Sequence, residues 1–368
     1  MRIGILGIKG VPGKHGVEVV VDSLLPHLAA TGHEVTVYGY DSYARLSENY
    51  KGAKVLTVSG SSAKNLEMIS HMLAASLDAR KRAFDVVHIH NTDPCLLAWL
   101  PKARYGVVAT SHGQAYVRKK WGFVARNMSK LAERFFIRIP DVITSVSKPL
   151  SDFYDKKYGR EVIHIPNGVN LGDIPSPHWL EKWGVSTRRF LFCSAGRIEK
   201  TKGLDTLMKA YSLLQTDMPL VIAGGGSGSD SEYMHRLMAA APENTKFVGF
   251  LTGDEFFSLY AHAGVFIFPS EYEAMSMALL EGLSFGAPTV FSDIPENTAV
   301  AEGLGYEFKV SDADSLTAVL RKVLNNYEAS LGLGKRARRE IAARHDWRVI
   351  AGQYNDIYSR LEQKSLSR

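Results

Sequence analysis

The sequence predicts an α/β protein made of two doubly wound domains, each a parallel sheet covered by helices. Three observations support this. Short apolar segments without polar alternation take turns with segments of 3.6-residue apolar spacing, as expected for strands buried on both faces and the helices that cover them. The pattern then starts afresh in the second half. Between the halves lies Pro166-Asn167-Gly168-Val169-Asn170 through Pro175-Ser176-Pro177, a stretch rich in turn residues. A chain of 368 residues is long enough for two domains of ordinary size. The expectation is two Rossmann-like domains facing a cleft, residues 1–170 and 171–346, followed by a helical segment from 347 to 368.

In the first half, strands are expected at Arg2–Gly7, Glu34–Tyr38, Lys54–Val58, Asp85–Ile89, Gly106–Thr110, Val142–Ser145 and Val162–Ile165. A helix joins the first two, with Val17, Val20, Val21, Leu24, Leu25 and Leu28 on one face and Gly32 as its stop. In the second half, strands are expected at Phe190–Ala195, Pro219–Ala223, Lys246–Val248, Val265–Phe268 and Pro288–Ser292, with helices between them. The last helix, Trp347–Leu361, has Ile350, Tyr354, Ile357, Tyr358 and Leu361 on one stripe. That apolar face needs burial, and the first domain is the expected place.

Composition excludes several classes. With 45% hydrophobic and 22% charged residues the chain is neither disordered nor fibrous. Its two cysteines, Cys95 and Cys193, lie far apart in apolar stretches, which speaks against a disulfide framework or a zinc site. No apolar run reaches the roughly 18 residues of a membrane span. The first residues run into glycines and Lys9 rather than a signal-peptide core, so a soluble cytoplasmic protein is expected. Net charge is +6, but Met1–Gly184 has 24 basic and 16 acidic residues, whereas the remainder has 20 and 22. The basic excess of the first half suits either a solvated face or an anionic partner.

Five motifs could hold chemistry. Gly7-Ile8-Lys9-Gly10-Val11-Pro12-Gly13-Lys14-His15-Gly16 joins the first strand to the first helix. It has five residues between Gly7 and Gly13 and His15 where a hydroxyl belongs, so it is no P-loop; nor does it match the dinucleotide fingerprint. A plain turn and an anion-facing loop both remain, and the second is preferred. Gly224-Gly225-Gly226-Ser227-Gly228-Ser229 is explained nearly as well as a flexible turn. Asp312-Ala313-Asp314 resembles a metal-holding pair, but an N-cap with acids in the first helical turn accounts for it. Glu273 and Glu281, if joined by helix, would stand about 12 Å apart along its axis, too far for a glycosidase pair at about 5–9.5 Å. They fit better as two grips on one elongated ligand. Finally, Arg197 and Lys202 in Gly196-Arg197-Ile198-Glu199-Lys200-Thr201-Lys202-Gly203 follow the strand that opens the second domain, where open α/β sheets bind ligands. They suit a diphosphate clamp, or a solvated basic loop.

Together these segments resemble the retaining glycosyltransferases of the GT-B fold, family 4. The resemblance spans nearly the whole chain. It runs from the glycine loop and Gly32-His33-Glu34-Val35-Thr36-Val37 through Asp85-Val86-Val87-His88-Ile89-His90, Ser111-His112-Gly113 and Ile165-Pro166-Asn167-Gly168-Val169-Asn170. It continues with Arg197 and Lys202, Pro269-Ser270-Glu271-Tyr272-Glu273 with Glu281, and Gly286-Ala287-Pro288. The resemblance implies that Arg197 and Lys202 neutralise the diphosphate of a sugar nucleotide and stabilise the leaving nucleoside diphosphate. Glu281 would hold the ribose, and Glu273 with the amides of Ala274, Met275, Ser276 and Met277 would bind the donor sugar. Gly13 and Gly16 would approach the phosphate from the first domain, and His112 would lie near the reacting centre. It implies front-face transfer with retention and no metal or other cofactor. The donor would be a UDP-sugar, with a GDP-sugar the other possibility. Departures from the family pattern are His15-Gly16 where Gly-Gly is usual, Gln114-Ala115 where relatives with a similar Lys120-Trp121-Gly122 stretch have an aspartate, and Ala274 in place of glycine.

The expected partners are therefore a nucleotide-sugar donor and a glycan or lipid-linked acceptor for cell-surface polysaccharide or glycolipid synthesis, not nucleic acid. Val117–Pro140 adds seven basic residues, Arg118, Lys119, Lys120, Arg126, Lys130, Arg134 and Arg138, to one acid, Glu133, among aromatics. It reads equally as a packed helix with solvated charges or as a segment lying on the inner face of an anionic membrane. The competing functions are a GT-B nucleotide-sugar epimerase and an inactive nucleotide-sugar-binding subunit, the latter opposed by the intact Arg197, Lys202, Glu273 and Glu281.

Overall fold

A computed structural model describes residues 1–13, 16–41, 43, 49–61, 63, 66–114, 116, 122–226 and 230–366. The chain divides into two compact units, one of Met1–Gly168 with Trp347–Arg368, the other of Val169–Asp346.

The first unit contains β1 (Arg2–Leu6), α1 (Val17–Ala30), β2 (Glu34–Tyr40), β3 (Asn49–Tyr50), β4 (Ala53–Val58), α2 (Glu67–Ala79) and β5 (Val86–His90). These are followed by α3 (Trp99–Lys102), β6 (Gly106–Ser111), α4 (Phe123–Arg138), β7 (Val142–Ser145), α5 (Lys148–Tyr158) and β8 (Ile163–His164). Its sheet has the order β3-β4-β2-β1-β5-β6-β7-β8, parallel apart from the short β3. Side chains alternate across the pleat. Leu6, Val87, Ile89, Val107 and Ala109 enter one core with Met72, Phe136 and Tyr154, while α1 buries Val20, Val21, Leu24, Leu25 and Leu28.

The second unit contains β9 (Leu191–Arg197), α6 (Leu204–Leu214), β10 (Leu220–Gly225), α7 (Asp230–Ala239), β11 (Thr245–Gly249), α8 (Gly253–His262) and β12 (Val265–Phe268). Then come α9 (Met277–Phe285), β13 (Thr289–Ser292), α10 (Pro295–Ala301), β14 (Tyr306–Phe308), α11 (Ala313–Asn325) and α12 (Tyr327–His345). All six strands are parallel in the order β11-β10-β9-β12-β13-β14. Phe192, Phe266, Phe268 and Phe291 pack on one face with Tyr260 and Phe285. Leu191, Cys193, Val265, Ile267 and Val290 pack on the other with Leu207 and Leu316.

The last helix, α13 (Trp347–Leu366), belongs to the first unit and lies beside α1 and over β5 and β6. The stripe expected to need burial is buried: Ile350, Tyr354, Ile357, Tyr358 and Leu361 are all at most 6% exposed. The Gly168 backbone lies against the Trp347 ring, where a Cβ would come within 2.5 Å. Every expected strand is present, with ends shifted by a few residues. Two others, β3 and β14, were not expected: one has two residues, and the other is an edge strand whose middle residue is the exposed Glu307. Neither presents an apolar run.

Candidate active site

In the second unit the chain runs outward from β9 to β10 and β11, then returns to β12 on the opposite side of β9. Strand order reverses there, so the loops after β9 and β12 diverge and leave room at the carboxyl ends. Arg197 ends β9, exposed and without an ion-pair partner among the described residues. The next loop is pinned to β10 through the Ile198 amide, which donates to Gly225 O at 2.9 Å. Gly224 has no side chain because β10 comes close to Gly196 here, with 3.1 Å between a built Cβ and the Gly196 oxygen. Ser227–Ser229 lie outside the described residues.

Lys202 sits in a short turn before α6. Its Nζ donates to Glu273 Oε1 at 2.6 Å, and Ser270 Oγ donates to the same oxygen at 2.7 Å. The Glu271 amide donates to Thr201 O at 2.8 Å, which ties the loop after β12 to the lysine turn. Behind it, Ser292 Oγ donates to Ser270 O and Asn297 Nδ2 donates to Ser292 Oγ at 3.0 Å. Glu273 thus has Oε1 committed to two donors. Glu296, in the first turn of α10, has its carboxyl pushed up by burial and by the charge of Glu273.

Glu273 and Glu281 do not share one helix. Residues 271–276 form a loop, and α9 begins at Met277 with Ser276 as N-cap, its Oγ accepting from the Leu279 amide at 3.4 Å. The 12 Å axial separation therefore does not apply, because Glu273 precedes the helix. Ala274, Met275 and Ser276 lie in the loop between the two acids, with Met277 opening the helix. Glu281 is half-buried, makes no ion pair among the described residues, and burial pushes its carboxyl up to about 7. The buried Tyr260 hydroxyl faces Glu281 and Ser194 without closing a geometrically good hydrogen bond to either.

A carboxyl raised by folding takes up a proton as the chain folds between about pH 4.5 and 7, so stability falls as pH rises through that window. Glu281→Gln removes this dependence. The variant's melting temperature should gain on wild type from pH 5 to pH 8 in the absence of nucleotide. A constant difference across that range would refute the burial effect.

In the first unit the glycine loop follows β1, and β5 is its neighbour at the strand-order reversal. Three of the four glycines serve the backbone. Gly7 has φ +85° and lies against the His90 carbonyl, Gly10 has φ +140°, and Gly13 lies against the start of α1, where a Cβ would come within 2.3 Å of Glu18. Gly16, with φ +57°, has open space around it at the start of α1. Lys14 and His15 lie outside the described residues. His112 follows β6 and is half-buried, its Nε2 3.0 Å from His90 Nδ1, and burial pushes its ring down to about 3.

Residues 14–173 match the family described as "Glycosyltransferase Family 4", and residues 176–340 match "Glycosyl transferases group 1". The chain belongs to glycosyltransferase family 4. A glycosyltransferase of Bacillus subtilis, "Uncharacterized glycosyltransferase YqgM", is 27% identical, covering 82% of this chain and 83% of that one. The phosphatidyl-myo-inositol mannosyltransferase of Propionibacterium freudenreichii is 26% identical over 98% and 95%. Among solved structures, Anabaena HepE in complex with UDP and glucose superposes with a TM-score of 0.82 at 16% identity, over 98% and 100% of the two chains. The fold is GT-B.

Three polar residues of this family 4 glycosyltransferase were not singled out from sequence: Ser270, Tyr260 and Glu296. Ser270 had a signal, a hydroxyl directly after Pro269 at the end of an all-apolar strand. The other two come from separate elements and leave no local trace. In this glycosyltransferase Asp312 caps α11, its carboxylate accepting from the Ser315 amide at 2.9 Å. Among the described residues no group of three or more His, Cys, Asp or Glu could hold a metal ion, and no helix is long and apolar enough to cross a membrane.

Proposed function

We propose that this glycosyltransferase retains anomeric configuration and takes its sugar from a UDP-sugar without a metal. The observation that supports this most is the cation pair at the carboxyl end of β9: an exposed Arg197 with no ion-pair partner among the described residues and a Lys202 oriented by Glu273. A diphosphate bound there meets two cations and the first-turn amides of α9, which supply the charge stabilisation a metal gives elsewhere. Glu273 Oε2 accepts sugar hydroxyls, and Glu281 accepts the ribose hydroxyls. The family resemblance assigns His112 to the donor sugar. The bond from the anomeric carbon to the β-phosphate oxygen breaks while the acceptor oxygen bonds on the same face. The acceptor proton passes to the departing phosphate oxygen. HepE, solved with UDP and glucose, favours uridine over guanosine as the base.

A thermal-shift panel of UDP, GDP and ADP with their glucose and mannose conjugates tests the donor. At 100 times Kd the bound ligand should stabilise by about 2.7 kcal/mol. Glu281→Gln should lose most of the shift with bare UDP, whereas Glu273→Gln should keep it and lose the extra shift of UDP-glucose. Equal losses in both variants would contradict this division. Product anomeric configuration by NMR decides retention.

We place the acceptor side on a membrane bearing a lipid-linked or glycan acceptor. Along α4, Phe123, Val124, Met128 and Leu131 are exposed, and Arg126, Lys130, Arg134 and Arg138 lie at the surface around them. Glu133, the helix's acid, is turned inward onto Lys157 and Tyr158 at 2.8 and 2.5 Å. Arg118, Lys119 and Lys120 lie outside the described residues. Each surface cation contributes about 1 kcal/mol on an anionic bilayer, so replacing Lys130, Arg134 and Arg138 by Gln should weaken binding to phosphatidylserine vesicles by about two decades. Binding that ignores lipid charge and salt would leave the helix a solvated face.

A further inference from the structure

The geometry assigns His90 a positioning role: its Nδ1–H donates to His112 Nε2 and thereby fixes His112 in the tautomer protonated at Nδ1. The assignment rests on the proposed place of His112 beside the donor sugar. His90 ends β5 and His112 follows β6, the neighbouring strand. The two rings stack with centroids 5.2 Å apart and planes at 29°, and their nitrogens are 3.0 Å apart.

One proton lies between those nitrogens, because burial keeps both rings neutral. Either ring could be the donor, and the far nitrogen of His90 decides. His90 Nε2 is buried with no hydrogen-bond partner among the described residues. If His112 donated, the His90 proton would move to Nε2 and become a buried donor without an acceptor. If His90 donates, Nε2 is a bare lone pair, the cheaper of the two orphans. His88 does not compete. Its Nδ1 meets the Tyr358 hydroxyl and its Nε2 the Thr110 hydroxyl, each at 2.7 Å, and its ring packs on His90 with centroids 4.1 Å apart. Alternation along β5 puts His88 and His90 on one face, so the first holds the second in place.

The consequence falls on His112. With Nε2 occupied as an acceptor, its Nδ1–H is the donor presented to a ligand, suited to a sugar hydroxyl oxygen or a phosphate oxygen. The other tautomer would present a lone pair and repel a phosphate.

The test is long-range 1H–15N NMR of the full chain labelled at histidine. Wild type should show His112 protonated at Nδ1, a result that needs no variant. His90→Asp leaves only an acceptor near the position of Nδ1 and should draw a proton onto His112 Nε2, whereas His90→Asn, which can still donate there, should keep Nδ1–H. His112 found as Nε2–H in wild type, or without a proton on Nε2 in His90→Asp, overturns the assignment. UDP-glucose added to the same samples separates the two ideas. If bound UDP-glucose leaves the His112 resonances unmoved while the tautomer follows residue 90, His112 loses its place at the sugar and the role of His90 is supported.

Discussion

Lys202→Ala should weaken UDP binding by about 10–100-fold, since a hydrogen bond to a charged group contributes about 1.5–3 kcal/mol. Transfer should fall further, on the order of 10²–10³, because in the proposed reaction the leaving diphosphate develops charge as the sugar departs. The cause is double. The diphosphate loses a cation, and Glu273 loses the partner 2.6 Å from its Oε1 and keeps Ser270. An uncompensated carboxylate then faces an anionic ligand. Removing that charge with Glu273→Gln in the Lys202→Ala background should therefore recover part of the UDP affinity, a coupling visible in a double-mutant cycle. Calorimetry checks both steps. An unchanged affinity in Lys202→Ala would remove the clamp assignment.

Gly203→Ala should both destabilise the chain and disable the same site. Gly203 opens α6 at φ +66°, and a Cβ there would lie 2.0 Å from the Pro269 carbonyl oxygen. A left-handed backbone costs an L-residue about 1–2 kcal/mol, and forcing the contact apart adds about 1–3 kcal/mol. The obstacle is backbone, which cannot swing away as a side chain would. The segment that must move is Pro269–Ser270, whose serine holds Glu273. Gly159→Ala is the control, since Gly159 has φ +63° with open space around it and should lose the conformational part alone. Urea midpoints measure the difference. Equal shifts in the two variants would mean the Pro269 contact relaxes freely.

The legible parts of the fold were those written locally. Strands such as Val265–Phe268 are apolar on both faces, and α13 announces its buried stripe through Ile350, Tyr354, Ile357 and Tyr358. β3 and β14 are defined by the strands they pair with, so nothing in Asn49-Tyr50 or Tyr306-Glu307-Phe308 marks them out. The same divide runs through the site. Arg197, Lys202, Glu273 and Glu281 were visible as charges at strand ends or in apolar surroundings. What orients them, Ser270 against Glu273 and Tyr260 beside Glu281, depends on which loops the sheet order brings together. Glycines leave two readings open. Gly7 and Gly13 are small because backbone passes close to them, which an anion-facing loop and a tight turn predict alike.

The first unit closes with α13, a helix encoded at the far end of the chain from the sheet it covers. A ribosome therefore delivers the beginning and end of this unit at different times. At about 5–20 residues per second, synthesis of the intervening second unit lasts on the order of 10–40 s. Through that interval His88 and Thr110 lack the Tyr358 and Tyr354 hydroxyls they meet in the folded chain. Little of this delay is thermodynamic, since doubling the connecting loop adds only about 0.6 kcal/mol to closure. The unit made first is the one finished last.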